Sequence, residues 1–170
     1  MKIIKFISVA GLLLLAFGGC KKETRYTALL YVKLKDMPAT YEEVNVEVIE
    51  VQIHSDADGW LSLDVNDSIY DLLQLQNNAN AVLGSLNIPS GNVSQVRLIL
   101  GTQNSVKVNN VVHPLSLSSQ DESGLKLNVH QTLQGNQTYT LVLDFDAAQS
   151  VIDNGNNTYK LKPVISASFF

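Results

Sequence analysis

The chain has 170 residues, 45% of them apolar, with 12 basic and 16 acidic side chains and a net charge of −4. That length suits one domain with a core of its own, which would bury roughly two-thirds of its unfolded surface and need neither a disulfide nor a structural metal. An acidic balance with Lys and Arg scattered after Lys35 excludes a nucleic-acid surface, which needs clustered cations to displace counterions.

The first 25 residues read as an address. Lys2 and Lys5 open a basic start, Phe6 to Phe17 is apolar, and Gly18-Gly19 supplies small residues at a cut point, the three-part pattern of a secretory signal peptide. The apolar run is shorter than the roughly 20 residues a membrane-spanning helix needs. The only cysteine, Cys20, stands at the end of Ala16-Phe17-Gly18-Gly19-Cys20, which resembles the lipobox of bacterial lipoproteins, with Phe17 in place of the usual Leu. The resemblance implies cleavage after Gly19, a diacylglyceryl thioether on Cys20 and acylation of the new amino terminus. The expected division is therefore a leader over 1–19, a lipidated cysteine and short tether over 20–25, and a folded domain over 26–170. Without Lys2 and Lys5 the mature part has 10 basic and 16 acidic residues, or −6. Lys21 rather than Asp after the cysteine resembles the sorting pattern that disfavours inner-membrane retention, which implies the outer membrane of a bacterial envelope, facing the periplasm or the outside.

The rest of the chain reads as strands and turns. Leu30, Val32 and Leu34 alternate with polar residues up to Asp36-Met37-Pro38. Val44, Val46 and Val48 alternate in one phase and Ile49, Val51 and Ile53 in the other, a slip that predicts a β-bulge. Asp58-Gly59 predicts a hairpin into Trp60-Leu61-Ser62-Leu63. Tyr70 to Leu75 fits strand or helix, and Ala79 to Leu83 predicts one helical turn stopped by Gly84. Pro89-Ser90-Gly91 turns the chain into the strand of Val96, Leu98 and Leu100.

Asn109-Asn110 predicts a second hairpin, followed by a short strand at Leu115 and Leu117 and a polar loop from Ser118 to Gly124. Leu125 to Val129 and Tyr139 to Phe145 alternate as strands with one wet face. Asp146-Ala147-Ala148-Gln149 has capping-box spacing and predicts helical turns to Ile152. Asn154-Gly155 then turns into Tyr159, Leu161 and Ile165, with Lys160 and Lys162 outward and Pro163 at a sheet edge. About nine strands predict an all-β, single antiparallel β-sandwich of immunoglobulin or transthyretin type with one or two short helical turns.

The order LKDMPATYEEVNVEVIEVQIH, DGW, YDLLQL, NIPSGNVSQVRLIL, GLKL and LDFDAAQSVIDNGNNTYKLKPVI resembles the domain-of-unknown-function 4382 family of bacterial lipoproteins over Tyr26 to Ile165. The resemblance implies a β-sandwich at the cell envelope and brings no catalytic residues with it.

Candidate sites are few. His54, Asp56 and Asp58 cluster at the first hairpin, where Asp-x-Asp-Gly matches part of a calcium loop, yet position 65 is Val where an EF-hand needs its bidentate Glu, and Asp and Gly are ordinary turn residues. His54, His113 and His130 lie on separate strand ends without zinc-site spacing, and no Gly-x-Ser-x-Gly elbow is present. Asp144 and Asp146 share a strand face as an acid pair would, although the capping box already employs Asp146. Trp60 suits either a sugar-stacking platform or the core anchor of a sandwich. The expectation is a binding or adhesion module, not an enzyme and without cofactor. The membrane would be reached through the lipid, and a glycan or envelope protein would meet loops at one end, including Ser55 to Gly59 and Ser118 to Ser123. The alternatives are a structural subunit of a surface assembly and a hydrolase without a recognised motif.

Overall fold

A computed structural model describes residues 25–65 and 69–170, so the leader, Cys20, Lys21 and Lys22 lie outside the described residues. Thirteen strands and three short helical turns make up the described part: β1 (Thr27–Asp36), β2 (Glu43–Ser55), β3 (Gly59–Leu63), β4 (Ile69–Asp71), a 3-10 turn (Leu72–Leu75), β5 (Ala81–Pro89), β6 (Gly91–Leu100), β7 (Ser105–Val108), β8 (Val111–Leu117), α1 (Ser119–Glu122), β9 (Leu125–Leu133), β10 (Thr138–Phe145), α2 (Ala147–Ser150), β11 (Val151–Asp153), β12 (Tyr159–Leu161) and β13 (Ile165–Phe169). No helix among them is long and apolar enough to cross a membrane.

The strands form an all-β sandwich. One sheet has the order β13-β10-β1-β5, and the other runs β11-β12-β8-β7-β2-β6-β9 with β3 and β4 also paired to β2. Most pairs are antiparallel, but β1 with β10 and β8 with β12 are parallel, so the expected antiparallel arrangement is interrupted twice. Ala28, Leu30, Val32 and Leu34 of β1 and Leu141, Leu143 and Phe145 of β10 are fully buried, and they share one core with Val44 to Ile53 of β2 and Val93 to Leu100 of β6. The alternation predicted for these strands is thus the alternation of an inner and an outer sheet face.

The slip in β2 is a bulge. The pairing with β6 shifts between Val48 and Glu50, and Ile49 between them is turned out to solvent, which carries burial from Val48 on to Val51 without breaking the strand. Asn109 and Asn110 both have positive φ, 50° and 62°, the two left-handed residues that a type I′ hairpin requires between β7 and β8. Pro163 lies between β12 and β13, where the chain passes from one sheet to the other and no ladder needs its missing N–H.

Three local expectations are corrected. Residues 81–83 are strand, not helix: Ala81 and Val82 pair with Leu34 and Lys33 of β1, while Asn77 and Asn78 take the positive φ that turns the chain ahead of them. Gly84 stops no helix; it lies opposite Val32, where a Cβ would come within 2.6 Å of the Asp64 carbonyl oxygen. The helix capped by Asp146 ends at Ser150, because Val151 to Asp153 find a strand partner in β12. The polar loop from Ser118 contains the single turn α1, capped by the Ser118 side chain.

Candidate functional site

The first hairpin brings four predicted residues to one end of the larger sheet. His54 and Trp60 face each other across β2 and β3, rings 5.0 Å apart and edge to face, and His54 Nδ1 lies 2.8 Å from Ser94 Oγ on β6. Trp60 is 36% exposed and anchors no core, which corrects that expectation. The Arg97 guanidinium lies 4.3 Å from its ring centroid, a cation–π contact that takes up part of the ring. Arg97 Nη1 donates to Gln52 Oε1 at 3.0 Å, Gln52 donates to Glu50 at 3.0 Å, and Ser62 donates to the same carboxylate oxygen. These bonds hold the Glu50 carboxyl below its ordinary pKa, the Ser62 hydroxyl contributing most. Cross-strand register makes this row: Ser62, Gln52, Arg97 and Lys126 stand side by side on the outer face.

The aspartates of the hairpin are spent on the protein itself. Asp56 accepts from Asn92 Nδ2 at 3.0 Å, and Asp58 pairs with Arg25 at 2.7 Å. Among the described residues no three His, Cys, Asp or Glu side chains converge to hold a metal ion. The three histidines stay apart, since His113 packs on Tyr159 with ring centroids 5.0 Å apart and His130 Nδ1 meets the carbonyl of Val129. Asp144 pairs with Lys35 at 2.7 Å across β10 and β1, while Asp146 caps α2 by accepting the Gln149 N–H at 2.9 Å. The same turn has a second buried carboxylate that sequence reasoning passed over. Asp36 is 6% exposed, accepts the Ala147 N–H at 2.9 Å and Gln76 Nε2 at 3.3 Å, and burial pushes its pKa up to about 6.

The two loops expected at one end lie apart. Ser55 pairs with Val93 near the start of β6, whereas Leu125, just after the 118–124 loop, pairs with Leu98. Five residues of extended chain, about 17 Å, separate the two positions, so the loops lie toward opposite ends of β6.

At the end away from the hairpin lies a groove of about 450 Å³, bordered by the 101–102 turn, β8, α1 and the turn into β12. Thr102, Ser116, Glu122, Asn157, Thr158 and Tyr159 line it, with Leu115 and Leu117 among its apolar residues. A buried network holds the 101–104 lip. Glu47, 7% exposed, accepts the Gln103 N–H at 2.8 Å and Gln103 Nε2 at 3.0 Å, while Asn104 accepts the Glu47 N–H at 2.9 Å and donates to the Gly101 carbonyl at 2.7 Å. On the other side Asn156 and Asn157, at φ 52° and 57°, bend the chain back so that Thr158 and Tyr159 reach the groove. The sequence signalled only a turn at Asn154-Gly155; the groove comes from the parallel pairing of Tyr159 with Leu115, residues 44 positions apart.

No curated protein and no solved structure matches the chain. A family model does, over residues 27–163, from the start of β1 through the turn that follows β12. The chain therefore belongs to the family described as a domain of unknown function, DUF4382.

Proposed function

We propose that the protein is a lipid-anchored component of a bacterial envelope, held through Cys20, and that its sandwich is a binding module whose ligand occupies the groove beside Tyr159. The observation that carries the binding reading is the lining of that groove. Three hydroxyl side chains, one amide, one carboxylate and a phenol stand around apolar Leu115 and Leu117. A saccharide presents the matching surface, with apolar ring faces edged by hydroxyls, and an aromatic ring beside hydrogen-bonding groups fixes such a ligand in orientation. Glu122 disfavours an anionic sugar. The lipid reading rests on the lipobox-like residues before Cys20, since two or more acyl chains give stable attachment at about 0.8 kcal/mol per buried methylene.

The test is a glycan array and a pull-down from envelope extracts with residues 21–170, repeated with Tyr159→Ala and Glu122→Gln. Retention of a neutral saccharide that both variants weaken supports the reading; no enrichment in either assay rejects it. A second reading, strand addition within a surface assembly, is favoured by β13, which among the described residues has a hydrogen-bonded strand neighbour on one side only. Crosslinking in intact cells separates the two, because strand addition requires a fixed protein neighbour at Ile165 to Phe169.

A further inference from the structure

The tether enters the domain at a defined place. Arg25 Nη1 pairs with Asp58 Oδ1 at 2.7 Å, which binds the root of the tether to the β2–β3 hairpin. The next residue, Tyr26, accepts the Ser90 N–H at 2.9 Å, and Thr27 accepts the Asn136 N–H at 2.8 Å. Gly135 lies so close that a Cβ there would come within 2.2 Å of the Tyr26 Cβ. Three turns, 56–58, 89–91 and 134–137, therefore surround the point where the chain enters the sandwich.

From these contacts we infer that this end of the sandwich, carrying Tyr26, Trp60 and the three turns, rests on the bilayer surface, with the Tyr159 groove turned away from it. The inference rests on the Cys20 anchor proposed above. Reach is the first argument. From Cys20 to Arg25 the chain spans at most about 17 Å, whereas the 13 residues of β2 run about 40 Å from one end of the sheet to the other. An inverted domain would lift Arg25 more than twice as far from the lipid as the tether allows.

Aromatic placement then chooses among the orientations that reach permits. Among the described residues of the tether end, Asp56 is hydrogen-bonded to Asn92 and Asp58 is neutralised by Arg25, so neither carboxylate stands against a headgroup surface unpartnered. Tyr26 is 57% and Trp60 36% exposed, and both are amphipathic aromatics of the kind that settle at headgroup depth. The outer surface of Trp60 is thereby assigned to lipid headgroups and not to a sugar.

Trp60 is the sole tryptophan, so the full-length protein reports on itself. The protein is extracted from bacterial membranes, its acylation checked by mass, and reconstituted in phosphatidylcholine–phosphatidylglycerol vesicles carrying a nitroxide near the headgroup. Trp60 fluorescence should fall at least about twofold in the acylated protein and stay unchanged in Cys20→Ser with the same vesicles. Bimane on Gln137→Cys, beside the tether, should be quenched likewise, and bimane on Gln120→Cys in α1 should not. Acylated, vesicle-bound protein with Trp60 unquenched, or with the Gln120→Cys label quenched instead, overturns the orientation while leaving the anchor standing. A saccharide that shifts Trp60 emission in the vesicle-bound protein also overturns it. Absence of acyl chains on Cys20 overturns the anchor itself, and the orientation with it.

Discussion

Asp36 is the residue whose removal gives the clearest number. It sits at the end of β1, 6% exposed, with one oxygen on the Ala147 N–H and the other on Gln76, and Asp146 nearby adds like charge. Desolvation dominates and raises its pKa from 3.8 to about 6. A carboxyl whose folded pKa exceeds its unfolded one opposes folding when ionised. The penalty is full above about pH 6, shrinks as pH falls from about 6 to about 4, and is absent below both values. At about 1.4 kcal/mol per pKa unit it amounts to about 3 kcal/mol. Asp36→Asn keeps an oxygen for the Ala147 N–H and removes the titration. Urea denaturation followed by far-UV circular dichroism at pH 7.5 and pH 4.0 should therefore show the wild type gaining about 2–3 kcal/mol relative to Asp36→Asn at the lower pH. Glu43 and Glu50, held at lowered pKa by Lys107 and Ser62 respectively, lose stabilisation as pH falls, but they do so in both proteins and cancel in the difference. An equal gap between the two proteins at both pH values would refute the assignment of burial as the cause.

Further outcomes follow from packing. Gly101→Ala places a Cβ within 2.1 Å of Glu47 Oε2, so the buried carboxylate must leave Gln103; a loss of about 2–4 kcal/mol should appear as a lower urea midpoint with unchanged slope. Phe145→Ala empties the centre of the core at a residue with no exposed surface, costing about 3–5 kcal/mol and lowering the calorimetric Tm by about 10 °C or more. Asp146→Ala removes the cap of α2 and should cost about 1 kcal/mol in the same urea titration. Asn110→Val forces a β-branched residue to φ 62° and should cost at least about 1 kcal/mol, whereas Asn110→Gly should stay within about 0.5 kcal/mol of the wild type.

Much of this protein is written in short stretches of chain. Alternation in β1, β2, β6 and β10 marks the buried face, the change of phase after Val48 marks the bulge, Asn109-Asn110 marks a hairpin, and Asp146 marks a helix start. Each is legible because its cause acts over a few residues: side-chain direction reverses at every strand position, and turns and caps are set by one or two side chains. Where local preference is weak the reading fails. Ala81-Val82-Leu83 is compatible with a helical turn, and only the edge of β1 makes it a strand.

Tertiary structure decided the rest. Leu29 lies beside Thr138, and Lys160 beside Ser116, by parallel pairings that no local pattern encodes, because the choice among strand partners is made by the free energy of the whole packed core. The same choice puts Arg97 over Trp60, carries Trp60 to the surface, separates the two predicted recognition loops along β6 and opens the groove beside Tyr159. Sequence alone determined that the chain is all-β, where several of its turns lie and which face of its long alternating strands is dry. Which side chains meet across those strands depended on the fold, since contacts between residues tens of positions apart form only when the two sheets close on each other.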